Sequence, residues 1–75
     1  MDITHEPNQH RYVLSEDGEF LGEVEYDRQG DTLHLVRAEV PAAKRGQGLG
    51  IPLVKGSLQA IKDEGGLSVV PVCPY

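Results

Sequence analysis

The chain has 75 residues, a formal net charge of −5, 39% hydrophobic and 25% charged residues. That is one small soluble globular domain with a small core, not a disordered tail, and no apolar run approaches the roughly 20 residues of a membrane span. The acidic balance argues against nucleic-acid backbones and anionic membranes as partners.

Residues 1–10 are polar, with Pro7-Asn8-Gln9 near the end, and read as an unpacked arm ahead of a domain at 11–75. The start of the chain has no basic head or apolar stretch, so no signal peptide is expected and the cytoplasm is the default compartment. Arg11–Ser15 reads as a strand from its aromatic and β-branched content. Asp17-Gly18 is a hairpin turn. Phe20, Gly22, Val24 and Tyr26 then alternate with Leu21, Glu23, Glu25 and Asp27, which predicts a half-exposed strand with one charged face. After the turn at Arg28–Asp31, Thr32–Val40 reads as a third strand. It is apolar on both faces at Leu33, Leu35, Val36 and Val40, and so more central than the second.

Pro41 ends that strand because it has no N–H for the ladder. From Gly48 or Gly50 the period changes. Ile51, Val54, Leu58 and Ile61 form one stripe of a helix, widened by Leu53 and Ala60. Pro52 is tolerated in its first turn, and Gly65-Gly66 stops it. Leu67–Val70 reads as a buried fourth strand. The predicted order is β-β-β-α-β, an α/β domain with a mostly antiparallel mixed sheet on one long helix.

The chemistry concentrates in Arg45-Gly46-Gln47-Gly48-Leu49-Gly50. Glycines let backbone N–H groups approach a ligand without an intervening Cβ. The helix behind presents free N–H groups and a positive dipole end. Together these suit a pyrophosphate, and Lys44 and Arg45 add positive charge. The spacing is not a P-loop, since no Gly is followed by Lys and Ser or Thr. Nor is it a dinucleotide fingerprint, since it reads G-x-G-x-G after antiparallel hairpins.

Set after a strand and before a helix, Arg45-x-x-Gly48-x-Gly50 resembles the acyl-CoA motif of the Gcn5-related N-acetyltransferase superfamily. Further segments are similar to its small single-domain YjdJ-like subgroup. They are Tyr12-Val13-Leu14, Gly22-Glu23-Val24-Glu25-Tyr26, Glu39-Val40-Pro41 and Val70-Pro71-Val72-Cys73-Pro74-Tyr75. The resemblance implies an acetyl-CoA-dependent N-acetyltransferase acting on a small-molecule or protein amine. The chain is expected as a monomer or as a homodimer in which a second chain completes the site, its last strand then exposed on an edge and prone to pairing. It implies a cofactor set of Val40, Arg45, Gly46, Gln47, Gly48, Leu49 and Gly50, with the Thr32–Val40 strand offering backbone groups to the pantetheine arm. Subgroup members carry Thr, often after His, where Arg37 and Ala38 stand here. They also continue past Cys-Pro-Tyr with another helix, so the expected fold lacks that helix. The alternative is a catalytically inactive module that binds CoA or a protein.

Two catalytic candidates follow. Glu39, at the end of the third strand, is the nearest base for an amine proton; its other reading is a carboxylate salt-bridged to Lys44 or Arg45. The resemblance places Cys73 beside the acyl group, where it is either a relay nucleophile or a small buried hydrophobe. His5 and His10 read as solvated and His34 as a strand histidine. The three His and one Cys show no metal-ligand spacing. Tyr12, Phe20 and Tyr26 read as core and cross-strand packing, and Glu23, Glu25 and Asp27 as a solvated edge able to attract a cationic amine.

Overall fold

The computed structural model describes residues 1–71. In chain order these form β1 (Asp2–Glu6), a 3-10 turn (Pro7–Gln9), β2 (Arg11–Glu16), β3 (Glu19–Gln29), β4 (Thr32–Glu39), a second 3-10 turn (Ala42–Lys44), α1 (Gly50–Glu64) and β5 (Ser68–Pro71). The sheet order is β1-β2-β3-β4-β5. The first four strands are antiparallel neighbours, and β5 runs parallel to β4. A parallel pair needs a crossover, and α1 supplies it, packed on one face of the sheet. The expected α/β fold is therefore present with one strand more. Among the described residues no helix is long and apolar enough to cross a membrane.

The additional strand corrects the reading of the N-terminus as an unpacked arm. Asp2–Glu6 pairs in full register with Arg11–Ser15. Its inward residues are Ile3 and His5. An inward histidine hides the period-two signal, but this one is satisfied. His5 Nδ1 lies 3.2 Å from a Glu64 carboxylate oxygen, and Nε2 lies 2.6 Å from Tyr26 Oη. A neutral ring protonated on Nδ1 donates to Glu64 and accepts from Tyr26. The ring also stacks on Tyr12 at 4.2 Å between centroids. His5 is thus half-buried and partnered, not solvated. Ile3 meets α1 at Gly56, where an added Cβ would come within 2.7 Å of the isoleucine.

Both hairpin loops hold two residues. Asp17 and Gly18 both have positive φ (50° and 81°), as a type I′ turn demands. Two bulges then change which side chains face the helix. Leu14 pairs with Gly22 and Ser15 with Phe20, so Leu21 is the extra residue. As a result Leu21 is buried, while Phe20 is 41% exposed on the outer face with Arg11 above it. In β4, Glu25 pairs with Arg37 and Tyr26 with Leu35, so Val36 is extra. Inward positions run Leu33, Leu35, then Ala38 and Val40, and Val36 is 46% exposed. The strand read as apolar on both faces is a one-faced strand whose parity changes at a bulge. The middle strand of the sheet is β3, and β4 lies between β3 and β5.

The helix is also rotated from expectation. Its buried residues are Gly50, Leu53, Ser57 and Ile61. Ile51 is 76% exposed and Leu58 41%. Ser57 looks polar in sequence, yet its hydroxyl donates to the Leu53 carbonyl at 2.7 Å, so it enters the core at no cost in unmet hydrogen bonds. Gly65, at φ 75°, closes the helix as predicted. Leu53 and Ile61 join Tyr12, Leu14, Val24, Leu33 and Leu35 in one core.

Tyr12 is fully buried, and its hydroxyl donates to Glu64 at 2.7 Å. Burial, then that hydrogen bond, push its phenol well above the ordinary value, and burial pushes Tyr26 the same way. A value raised by folding stabilises the fold fully below the unfolded pKa, about 10, and the gain is lost as pH rises through the folded value. Tyr12→Phe is expected to cost about 1.5 kcal/mol at neutral pH through the lost bond to a carboxylate. It should also flatten the fall in thermal midpoint above about pH 10. Unfolding curves across that range check this; equal alkaline slopes in parent and variant would assign the pressure to another group.

Candidate functional site

β4 ends at Glu39, and the chain leaves the sheet through Val40-Pro41. The following 3-10 turn is closed by Lys44 N–H to Pro41 O at 2.8 Å and by Arg45 N–H to Ala42 O at 3.3 Å. Arg45 Nε donates back to Val40 O at 3.1 Å, which ties the loop to the end of β4. Gly46 and Gly48 then take φ of 88° and 70°, a region that costs other residues strain. The side chain of Leu49, buried in the core, anchors the start of α1. The first helical hydrogen bond runs from Leu53 N–H to Leu49 O.

From Gly46 to Ile51, six consecutive backbone N–H groups donate to no acceptor among the described residues. No side chain caps the helix either. Such a run of free donors at a helix N-terminus favours an anion. Beside it lies a cavity of about 290 Å³ bounded by Val40, Lys44, Arg45, Gly46, Gly48, Leu49 and Gly50. Six of the seven predicted cofactor residues meet at this cavity. Gln47 is exposed and does not line it. Lys44 brings less free charge than expected, because Nζ pairs with Glu19 at 2.8 Å.

A shallow trough of about 300 Å³ runs from Gly50 past Ile51, Val54, Lys55 and Leu58. It shares Val54 and Leu58 with a cavity of about 290 Å³ between α1 and the sheet, lined by Val24, Leu35, Ala38, Val54, Leu58, Val69 and Pro71. This cavity sits where β4 bulges at Val36, and the described β4–β5 pairing ends at Leu35 with Pro71. Sequence reasoning missed it. The available signal was the apolar stripe Ile51, Val54 and Leu58 of α1, which lies beside the buried stripe of Leu53, Ser57 and Ile61.

Glu39 is half-exposed, paired with Arg37, and stands opposite Glu23 in the register. Its partner is thus neither Lys44 nor Arg45. With Phe20, Glu23 and Pro41 it borders a separate hollow of about 190 Å³. Arg37 also reaches Glu25 at 3.7 Å, so the outer acidic face is partly neutralised. Cys73 lies outside the described residues. His34 is half-buried on β4 opposite Asp27, and His10 takes a left-handed conformation at the start of β2. Among the described residues no group of three or more His, Cys, Asp or Glu could hold a metal ion.

Comparison with protein families matches residues 11–75 to the GCN5-related N-acetyl-transferase family. The chain belongs to that family. No curated protein matches the chain. The family match begins at Arg11, so β1 lies outside it, although β1 completes the sheet and contributes His5. For a GCN5-related N-acetyltransferase the residues in hand offer a consistent cradle. The donor-rich loop suits a pyrophosphate, and the trough and cavity beside α1 suit an uncharged arm.

Proposed function

We propose that this chain binds acetyl-CoA at the Arg45–Gly50 loop and passes the acetyl group to a primary amine of a small molecule or protein. We also assign it to the YjdJ-like subgroup, on the segments from Tyr12-Val13-Leu14 through Cys73-Pro74-Tyr75. The observation that carries the cofactor reading is the run of six N–H groups with no acceptor among the described residues, beside a cavity that Arg45 and the glycines border. Acetyl-CoA brings an activated thioester. The amine nitrogen attacks its carbonyl carbon, the C–N bond forms, the C–S bond breaks, and the amine proton leaves while the released thiolate takes one up. Glu39 is the proposed proton acceptor, and Cys73 the proposed residue at the acyl end. One observation favours the alternative of a CoA-binding module without turnover: the Glu39 carboxylate is already engaged by Arg37.

Titrating acetyl-CoA into the full chain and following its thermal midpoint tests the reading. Ligand at about 100 times its dissociation constant adds about 2.7 kcal/mol, roughly 10 °C or more for a domain this small. No rise from a folded chain overturns the cofactor assignment. A rise without thiol release across a panel of primary amines supports the non-catalytic module.

A further inference from the structure

We infer that Lys55 is a further cofactor-binding residue, its ammonium reaching back along α1 to the diphosphate held by the donor loop. The inference rests on the acyl-CoA reading above and adds a residue outside the loop motif.

Charge comes first. The chain has a formal net charge of −5, so an anionic ligand needs local cations to bind. The loop itself supplies few. Lys44 is paired with Glu19 at 2.8 Å. That leaves Arg45, fixed to Val40 O at 3.1 Å. A diphosphate carries more negative charge than one guanidinium offsets. Arg11, Arg28 and Arg37 are each paired with carboxylates. Among the described residues Lys55 and Lys62 enter no ion pair. The helix carries no carboxylate before Asp63, and none borders either of the two hollows that Lys55 lines.

Reach comes next. Lys55 borders the trough whose mouth is Gly50, the last residue of the donor loop. At about 1.5 Å per residue, its Cα stands about 7.5 Å along the axis from Gly50. Helical side chains lean toward the N-terminus and cover the turn before their own Cα. That direction takes the Lys55 stem back over Ile51. Its ammonium then meets the level of the Gly50 and Ile51 N–H groups, which find no acceptor among the described residues. The methylenes stay on the apolar wall while the charged head stays in water. Lys55 is exposed, so the head is free to turn toward a ligand. Lys62 lies in the last turn, about 18 Å along the axis from Gly50. That exceeds the screening length of about 10 Å at 0.1 M salt. Lys62 thus carries the same charge without the same reach.

Calorimetric titration of the full chain with CoA and with 3′-dephospho-CoA tests this, in the parent, Lys55→Gln and Lys62→Gln. Glutamine keeps the helix propensity and removes only the charge. Lys55→Gln should lower the affinity for both ligands about fivefold, between the loss of an exposed ion pair and that of a charged hydrogen bond. The loss should shrink as salt is raised toward about 1 M. A residue that merely supported the fold would show no such salt dependence, and the thermal midpoint without ligand should stay as in the parent. Lys62→Gln should change neither affinity by more than about twofold. Unchanged affinity in Lys55→Gln, with the parent binding, overturns the inference and leaves the cofactor reading standing. Equal losses in the two variants also overturn it, since net charge alone would explain them. A loss seen with CoA but not with 3′-dephospho-CoA moves Lys55 to the ribose phosphate and overturns the diphosphate assignment. Failure of the parent to bind either ligand sinks the cofactor reading and the inference together.

Discussion

Gly48→Val is expected to lower the affinity for acetyl-CoA by about tenfold or more. Gly48 holds φ at 70°, where an L side chain costs roughly 1–2 kcal/mol and a β-branched one sits worst. An added Cβ would meet nothing within 4 Å, so the chain itself would not clash. The space it enters is the cavity of the donor loop. Relaxing the strain would turn the N–H groups of Gly48 and its neighbours away from their common focus. Gly18→Val is the control. Gly18 has φ of 81° in the β2–β3 turn, also with open space around it, so it should cost similar stability and leave acetyl-CoA affinity unchanged. If both variants lose affinity equally, the loop's effect is general destabilisation and not ligand geometry.

What sequence reading caught and missed divides along local and nonlocal lines. The donor loop was legible because its signal is contiguous. Positive φ at Gly46 and Gly48, Pro52 inside the first turn and Gly65 at the helix end are properties of residues and their immediate neighbours. The missed features depend on partners distant in the chain. His5 is acceptable on an inward strand position only because Tyr26 and Glu64 meet its two nitrogens. The bulges at Leu21 and Val36 are set by pairing register, which a single strand does not contain. The cavity behind the trough takes walls from β3, β4, α1 and β5, so no motif could announce it. Glu39 was rightly placed at the end of its strand, but its partner Arg37 lies two residues back on the same side of the sheet, a contact that strand periodicity allows without favouring.

The phase of α1 carries the second large expected effect. Leu53→Ala should destabilise the domain by about 3 kcal/mol or more, the usual range for a leucine cut to alanine in a packed core. Leu53 is 0% exposed, and its Cδ2 lies 3.2 Å from where a Cβ on Gly22 would stand, so helix and sheet are in close contact there. A domain of this length has a total stability of roughly 4–11 kcal/mol, so the loss would leave a large unfolded fraction on mild warming. Ile51→Ala, two residues earlier, should change stability by about 0.5 kcal/mol or less, because the side chain is 76% exposed. Sequence periodicity alone ranks these two the other way, with Ile51 heading the main stripe and Leu53 at its margin. Denaturant unfolding of both variants therefore tests the helix rotation directly. Comparable losses would return Ile51 to the core and close the trough it borders. A loss confined to Leu53→Ala keeps Ile51 outside the core, on the wall of the trough it shares with Val54 and Leu58, where a bound arm could lie. In that case Ile51→Ala, although nearly neutral for folding, should still weaken acetyl-CoA binding severalfold, since about 0.8 kcal/mol per buried methylene is lost from the trough.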